Sequence, residues 1–136
     1  MEKDLKRLRQ LLQEGSCCSA VLAELAMASL GEENPRLVQA AAGLCGGVHA
    51  GMTCGVLTGG ALALSLYDPE LAGEEMIPAY AAWFRGMAEE ACGGTDCSTI
   101  LASGKISCPE LVENGWQKVK ELLEDQGFEP DAFSEE

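Results

Sequence analysis

Basic residues are scarce in this chain: nine Lys and Arg stand against 22 Asp and Glu, a formal net charge of -13. Nucleic acids and anionic membrane surfaces are therefore poor partners, because both are bound through clustered positive charge. A protein partner with a basic surface fits better. No Cys-x-x-Cys-His string occurs, which argues against covalent haem attachment, and no glycine loop is followed by Lys and Ser or Thr, which argues against a nucleotide site. No segment alternates apolar and polar residues as a strand does, and there is no internal repeat. The opening residues, MEKDLKRLRQLLQ, lack an apolar run ending in a small-residue cleavage site, so no signal peptide is expected and the cytoplasm is the expected location. In a reducing compartment, seven cysteines point to metal binding, catalysis or burial more than to a structural disulfide framework.

Formal charge is also missing from Leu37 to Tyr67. A membrane span needs about 20 predominantly apolar residues. This stretch is instead broken by Gly, Ser, Thr and the single histidine, His49, so a hairpin buried in a small bundle is expected and no membrane span. Hydrophobic residues make up 47% of 136 residues, enough for one domain with its own core. The expected organisation is a helical domain over 1–127 and an acidic, solvated tail over 128–136.

Helical spacing and capping residues predict an all-α, compact bundle of about six to seven helices. Leu5, Leu8 and Leu12 mark a first helix over Glu2 to Gln13, stopped by Gly15. A second runs from Ser16 to about Leu30, and Asn34-Pro35 opens a third, Asn as cap and Pro in the first turn. Glycine then recurs every fourth residue from Gly43 to Gly59. The density of glycine in the first half favours a loop leading to a helix that starts at Thr53 and ends near Leu66. Further helices are expected over Glu74 to Ala91, Cys97 to about Ala102, and from Cys108 towards Gly127.

Four cysteines each follow a capping residue: Ser16-Cys17, Thr53-Cys54, Asp96-Cys97 and Ser107-Cys108. A first-turn cysteine faces unpaired backbone N–H groups and the positive helix end, which favour the thiolate, the form that binds metals and attacks disulfides. Cys54, with its glycine-rich approach, ranks first. The string Cys54-Gly55-Val56-Leu57-Thr58-Gly59, preceded by Cys17-Cys18-Ser19-Ala20-Val21 and followed by two further cysteines, resembles the redox-active protein family named for its C_GCAxxG_C_C pattern. Val56 stands where that pattern has Ala. The resemblance places the four family cysteines on Cys17, Cys54, Cys97 and Cys108 and implies redox chemistry.

The leading expectation is an iron-sulfur cluster ligated by Cys17, Cys54, Cys97 and Cys108, serving electron transfer or redox sensing. Zinc fits less well, because structural zinc sites use closely paired cysteines. Gly55, Gly59 and His49 are expected beside the cofactor. The alternative uses the same four cysteines as catalytic thiols in metal-free thiol-disulfide chemistry; a third reading is an acidic helical binding module with buried thiols. An oligomer is compatible with any of these. Among the remaining thiols, Cys18 shares a helix face with Leu22 and Leu25 and reads as a small buried hydrophobe. Cys45 is open between a spare ligand and a resolving thiol. Cys92 sits at the unfavourable end of a long helix, with four residues between it and Cys97, a spacing that would allow a disulfide.

Overall fold

The computed structural model describes residues 2–130, which are organised by seven helices with no strand. They are α1 (Glu2–Gln13), α2 (Cys18–Ser29), α3 (Pro35–Ala41), α4 (Gly55–Tyr67), α5 (Ile77–Cys92), α6 (Cys97–Ser103) and α7 (Cys108–Asp125). The chain is thus all-α and compact, as its periodicity predicts. Of the acidic tail expected over 128–136, residues 131–136 lie outside the described residues. Phe128 meets the Tyr67 ring edge-on, centroids 5.3 Å apart. No helix among the described residues is long and apolar enough to cross a membrane.

The centre of the bundle is the α2–α4 pair. Helix α2 is buried around nearly its whole circumference, as expected of a helix with no polar face. Gly59 lets α4 approach it at backbone contact: a Cβ there would lie 2.6 Å from the Ser19 Cα. The other side of α4 receives α5 through Tyr80, whose ring occupies the space beside Gly60 and whose hydroxyl donates to the Val56 carbonyl at 2.7 Å. Helix α7 closes the core with Leu111, Val112, Trp116, Val119 and Leu123, all buried.

Helix α1 is fastened to α7 by charge as well as by Leu8 and Leu11. Asp4, 1% exposed, accepts hydrogen bonds from Trp116 Nε1 at 2.7 Å and from the Lys120 ammonium, itself 3% exposed. A charge pair so deeply removed from water is costly to form but far costlier to break on one side.

Several boundaries differ from the capping rules by one or two residues. Cys17, not Ser16, caps α2, and Cys54, not Thr53, caps α4, its sulfur accepting from the Val56 N–H at 3.4 Å. Helix α5 begins at Ile77 instead of Glu74. Asp68 first caps a turn at Pro69–Leu71, a wide turn follows at Ala72–Met76, and Pro78 then falls within the first turn of α5, where its missing N–H costs nothing.

Candidate functional site

The glycine-rich segment is a loop, and its geometry places α4 against α6. Gly46, Gly47, Val48 and His49 are consecutive left-handed residues, with φ of 62°, 64°, 50° and 57°. Two glycines supply the first half at no steric cost, whereas Val48 and His49 hold a conformation unfavourable for side-chain-bearing residues. Gly47 is further required by space, because a Cβ there would meet the Met52 amide at 2.3 Å. The reversal delivers residues 52–54 antiparallel to 95–97. Thr53 pairs with Asp96 in an isolated bridge, the Cys97 N–H donates to the Met52 carbonyl at 2.6 Å, and the Cys54 N–H donates to Thr95 at 3.2 Å. Ser98 Oγ adds a bond to the Gly51 carbonyl at 2.9 Å. Two cysteines far apart in sequence thereby sit at neighbouring helix starts.

The seven cysteines divide into a bonded pair and five free thiols. Cys17 forms a disulfide with Cys45, Cα atoms 6.1 Å apart, so the cysteine left open between ligand and resolving thiol is the partner of Cys17. Cys18, the next residue, points inward and shares a side-chain hydrogen bond with Cys108. Cys54 and Cys97 lie within electrostatic reach of Cys108, and Cys54 within reach of Cys18. Cys18 and Cys108 are therefore paired, with Cys54 and Cys97 in electrostatic reach of Cys108, and Cys18 stands where the family pattern predicts Cys17. Cys92 and Cys97 are both free, despite a spacing that would permit a bond.

Gly55 joins the disulfide to these thiols. A Cβ at Gly55 would lie 2.5 Å from Cys18 Sγ, 3.2 Å from the Leu44 carbonyl and 3.5 Å from the Cys45 Cα. The sulfur of Cys18 and the backbone of Cys45 thus press on the same face of the glycine. Gly55 and Gly59, expected beside a cofactor, both have α2 against them, so their open faces are taken by the protein itself. Ser19 Oγ donates to the Ala41 carbonyl at 2.7 Å and lies 2.9 Å from Cys45 Sγ. His49 is exposed and its Nε2 meets the Ala42 carbonyl at 3.0 Å, bracing the loop.

Protonation among the thiols reverses the order expected from helix position. Cys108, exposed at the start of α7, has its pKa lowered to about 6, because the Cys18 thiol donates to its sulfur. The same bond keeps the proton on Cys18, and burial reinforces it. Cys54, ranked first for its place at a helix start, is expected to be acidified there. Burial instead pushes it up to about 11, against the opposing N–H groups of Val56 and Leu57. Dipole effects at a helix start are worth about 0.3–1 kcal/mol at the surface, too little to offset the desolvation of a thiolate 5% exposed. Cys97 is also raised, first by burial and then by the charge on Cys108. Tyr80 is raised, chiefly by burial.

Cys18 is the residue that sequence reasoning passed over. Its helix face is buried with Leu22 and Leu25, as the spacing predicts, but what is buried there is the donor to an exposed thiol. One signal was present: a glycine at position 55, at the helix start directly after Cys54, leaves room for something packed tightly against it. Among the described residues no group of three or more His, Cys, Asp or Glu side chains is drawn together closely enough to hold a metal ion. A cleft of about 960 Å³ between α2 and α3 is lined by Arg7, Glu24, Met27 and neighbours, with no cysteine among them, so the thiols are not served by that cavity.

The model of the family described as "Putative redox-active protein (C_GCAxxG_C_C)" matches residues 16–122. That span covers most of the chain and all seven cysteines. Neither a curated protein nor a solved structure matches it. The chain belongs to the C_GCAxxG_C_C family of redox-active proteins.

Proposed function

We propose, with that membership as the premise, that the chain is a metal-free thiol-disulfide redox protein. The observation that carries this reading is the Cys17–Cys45 disulfide lying beside a group of free thiols in the same fold. Cys108 is suited to the role of attacking nucleophile: it is exposed, and its hydrogen bond from Cys18 favours the thiolate at neutral pH. Attack on a disulfide of another molecule would join Cys108 to one partner sulfur and release the other as a thiolate. Cys18, already hydrogen-bonded to Cys108, is placed to attack Cys108 Sγ in turn, releasing the partner's second sulfur and closing a Cys18–Cys108 disulfide. Two electrons pass to the partner, and the same exchange runs in reverse when the partner brings a dithiol. The chain's net charge of -13 favours a redox partner with a basic surface.

The iron-sulfur reading takes second place. Its support is the shared neighbourhood of Cys54, Cys97 and Cys108, three of the four cysteines of the family pattern. The fourth, Cys17, is bonded to Cys45, which favours the thiol-disulfide reading.

One preparation tests both readings. The protein is purified anaerobically, assayed for iron and sulfide, and its disulfides are mapped by mass spectrometry after equilibration in glutathione buffers of graded potential. Thiol-disulfide function requires at least one defined pair that titrates reversibly. Stoichiometric iron and sulfide with no titrating pair would overturn it in favour of the cluster.

A further inference from the structure

The disulfide and the free thiols raise a question that the proposed function leaves open. Cys45 is buried and Cys17 is half-buried, whereas Cys108 is the exposed thiol. Cys18 lies between them. It shares a hydrogen bond with Cys108 on one side, and on the other its sulfur shares the face of Gly55 with the backbone of Cys45. Cys17, the partner of Cys45, is its neighbour in sequence. We infer that the chain contains an internal disulfide relay, in which Cys18 carries the disulfide between the interior Cys17–Cys45 pair and the surface residue Cys108.

The steps balance without an external reagent. Cys18 passes its proton to the Cys108 thiolate as it attacks Cys45 Sγ; the Cys17–Cys45 bond breaks, the Cys18–Cys45 bond forms, and Cys17 leaves as a thiolate that takes up that proton, which restores the Cys108 thiolate. Cys108 thiolate then attacks Cys18 Sγ, forming Cys18–Cys108 and releasing Cys45. Ser19 serves this second leaving group. While Cys45 is in a disulfide its sulfur can only accept, and the Ser19 hydroxyl spends its proton on Ala41; once Cys45 carries charge, the same hydroxyl, 2.9 Å away, can turn to donate to it. The net result is transfer of two electrons and two protons from the Cys18 and Cys108 dithiol to the Cys17–Cys45 disulfide. A dithiol on another molecule completes the circuit. Its first sulfur attacks Cys108 Sγ and displaces Cys18, its second resolves the mixed disulfide, and the partner leaves oxidised.

Gly55 is what lets the Cys18 sulfur and the Cys45 backbone share one face. Any side chain there would intrude between Cys18 and Cys45, since the first carbon alone would come to 2.5 Å from the Cys18 sulfur. The relay rests on the thiol-disulfide reading above, and its test is arranged to fail separately.

Oxidised protein is exposed to dilute dithiothreitol under native conditions, quenched in acid at intervals, alkylated and mapped by mass spectrometry. Loss of the Cys17–Cys45 linkage in the wild type is expected to be about tenfold or more faster than in Cys108→Ala and in Cys18→Ala, because direct attack on a shielded disulfide is slow. A Cys18–Cys108 or Cys18–Cys45 linkage is expected to accumulate transiently in the wild type. Cys92→Ala is expected to be reduced at the wild-type rate. Equal rates in wild type and Cys108→Ala, or quenched samples that never contain a linkage to Cys18, would overturn the relay while leaving reversible Cys17–Cys45 chemistry intact. Because Cys108 is exposed, its removal does not disturb the core, so the test survives if Cys18→Ala folds poorly. A Cys17–Cys45 linkage that neither opens nor re-forms in any variant overturns the proposed function itself.

Discussion

Replacing Cys18 by Ala removes the hydrogen bond that lowers the Cys108 thiol from its ordinary 9.0 to about 6, and the kinetic consequence is opposite at the two ends of the pH scale. At pH 7 a thiol of pKa about 6 is about 90% ionised and one of pKa about 9 only about 1%. Ionisation is not the whole effect, since a thiolate becomes less nucleophilic as its pKa falls. With a Brønsted coefficient of about 0.4–0.5, three units of pKa cost the wild-type thiolate about 20-fold in intrinsic reactivity. The net wild-type advantage at pH 7 is therefore only about fourfold, and at pH 10 the variant should react about 20-fold faster. The two rate profiles should cross a little below pH 8, at about 7.7. The assay is iodoacetamide labelling of Cys108 under native conditions from pH 5 to 10, read from the Cys108 peptide so that the other thiols do not interfere. The expected wild-type midpoint is about 6, with rates rising as pH rises through it. A wild-type midpoint near 9, or profiles for wild type and Cys18→Ala that coincide without crossing, would refute the assignment of Cys18 as donor to Cys108.

Three further outcomes concern the scaffold. Asp4→Ala removes the carboxylate paired with the buried Lys120 ammonium and should cost about 3–5 kcal/mol in urea denaturation, with much of the loss recovered in Asp4→Ala/Lys120→Met. Gly60→Ala drives a methyl to 2.2 Å from the Tyr80 ring and should lose about 1–3 kcal/mol in the same assay, while Gly73→Ala, with open space around it, should change stability far less. Val48→Gly relieves a left-handed β-branched residue that is 47% exposed, and should stabilise the fold by about 1 kcal/mol without altering the pH profile of Cys108.

Helix capping was legible because it is local chemistry. Asn34 accepts from the Leu37 N–H at 3.1 Å, Ser107 accepts from Glu110 at 3.3 Å, and Gly15, Gly31, Gly93, Gly104 and Gly127 all take the positive φ that ends a helical segment. Each of these needs only residues within one turn. The same locality placed Cys17, Cys54, Cys97 and Cys108 at helix starts, and the amino-acid order alone also determined the loop reading of the glycine-rich segment. It could not determine which sulfurs meet. Cys17 and Cys18 are adjacent, and only the packing of α2 against α4 turns the first towards Cys45 and the second towards Cys108. Nor could it rank the thiols, because burial is a property of the assembled core: the same helix-start position that favours a thiolate in water leaves Cys54 protonated once α4 is enclosed, while Cys108 gains its charge from a donor ninety residues earlier in the chain. The local rules act through one turn of backbone, whereas desolvation and sulfur-to-sulfur contacts exist only after distant segments have been brought together.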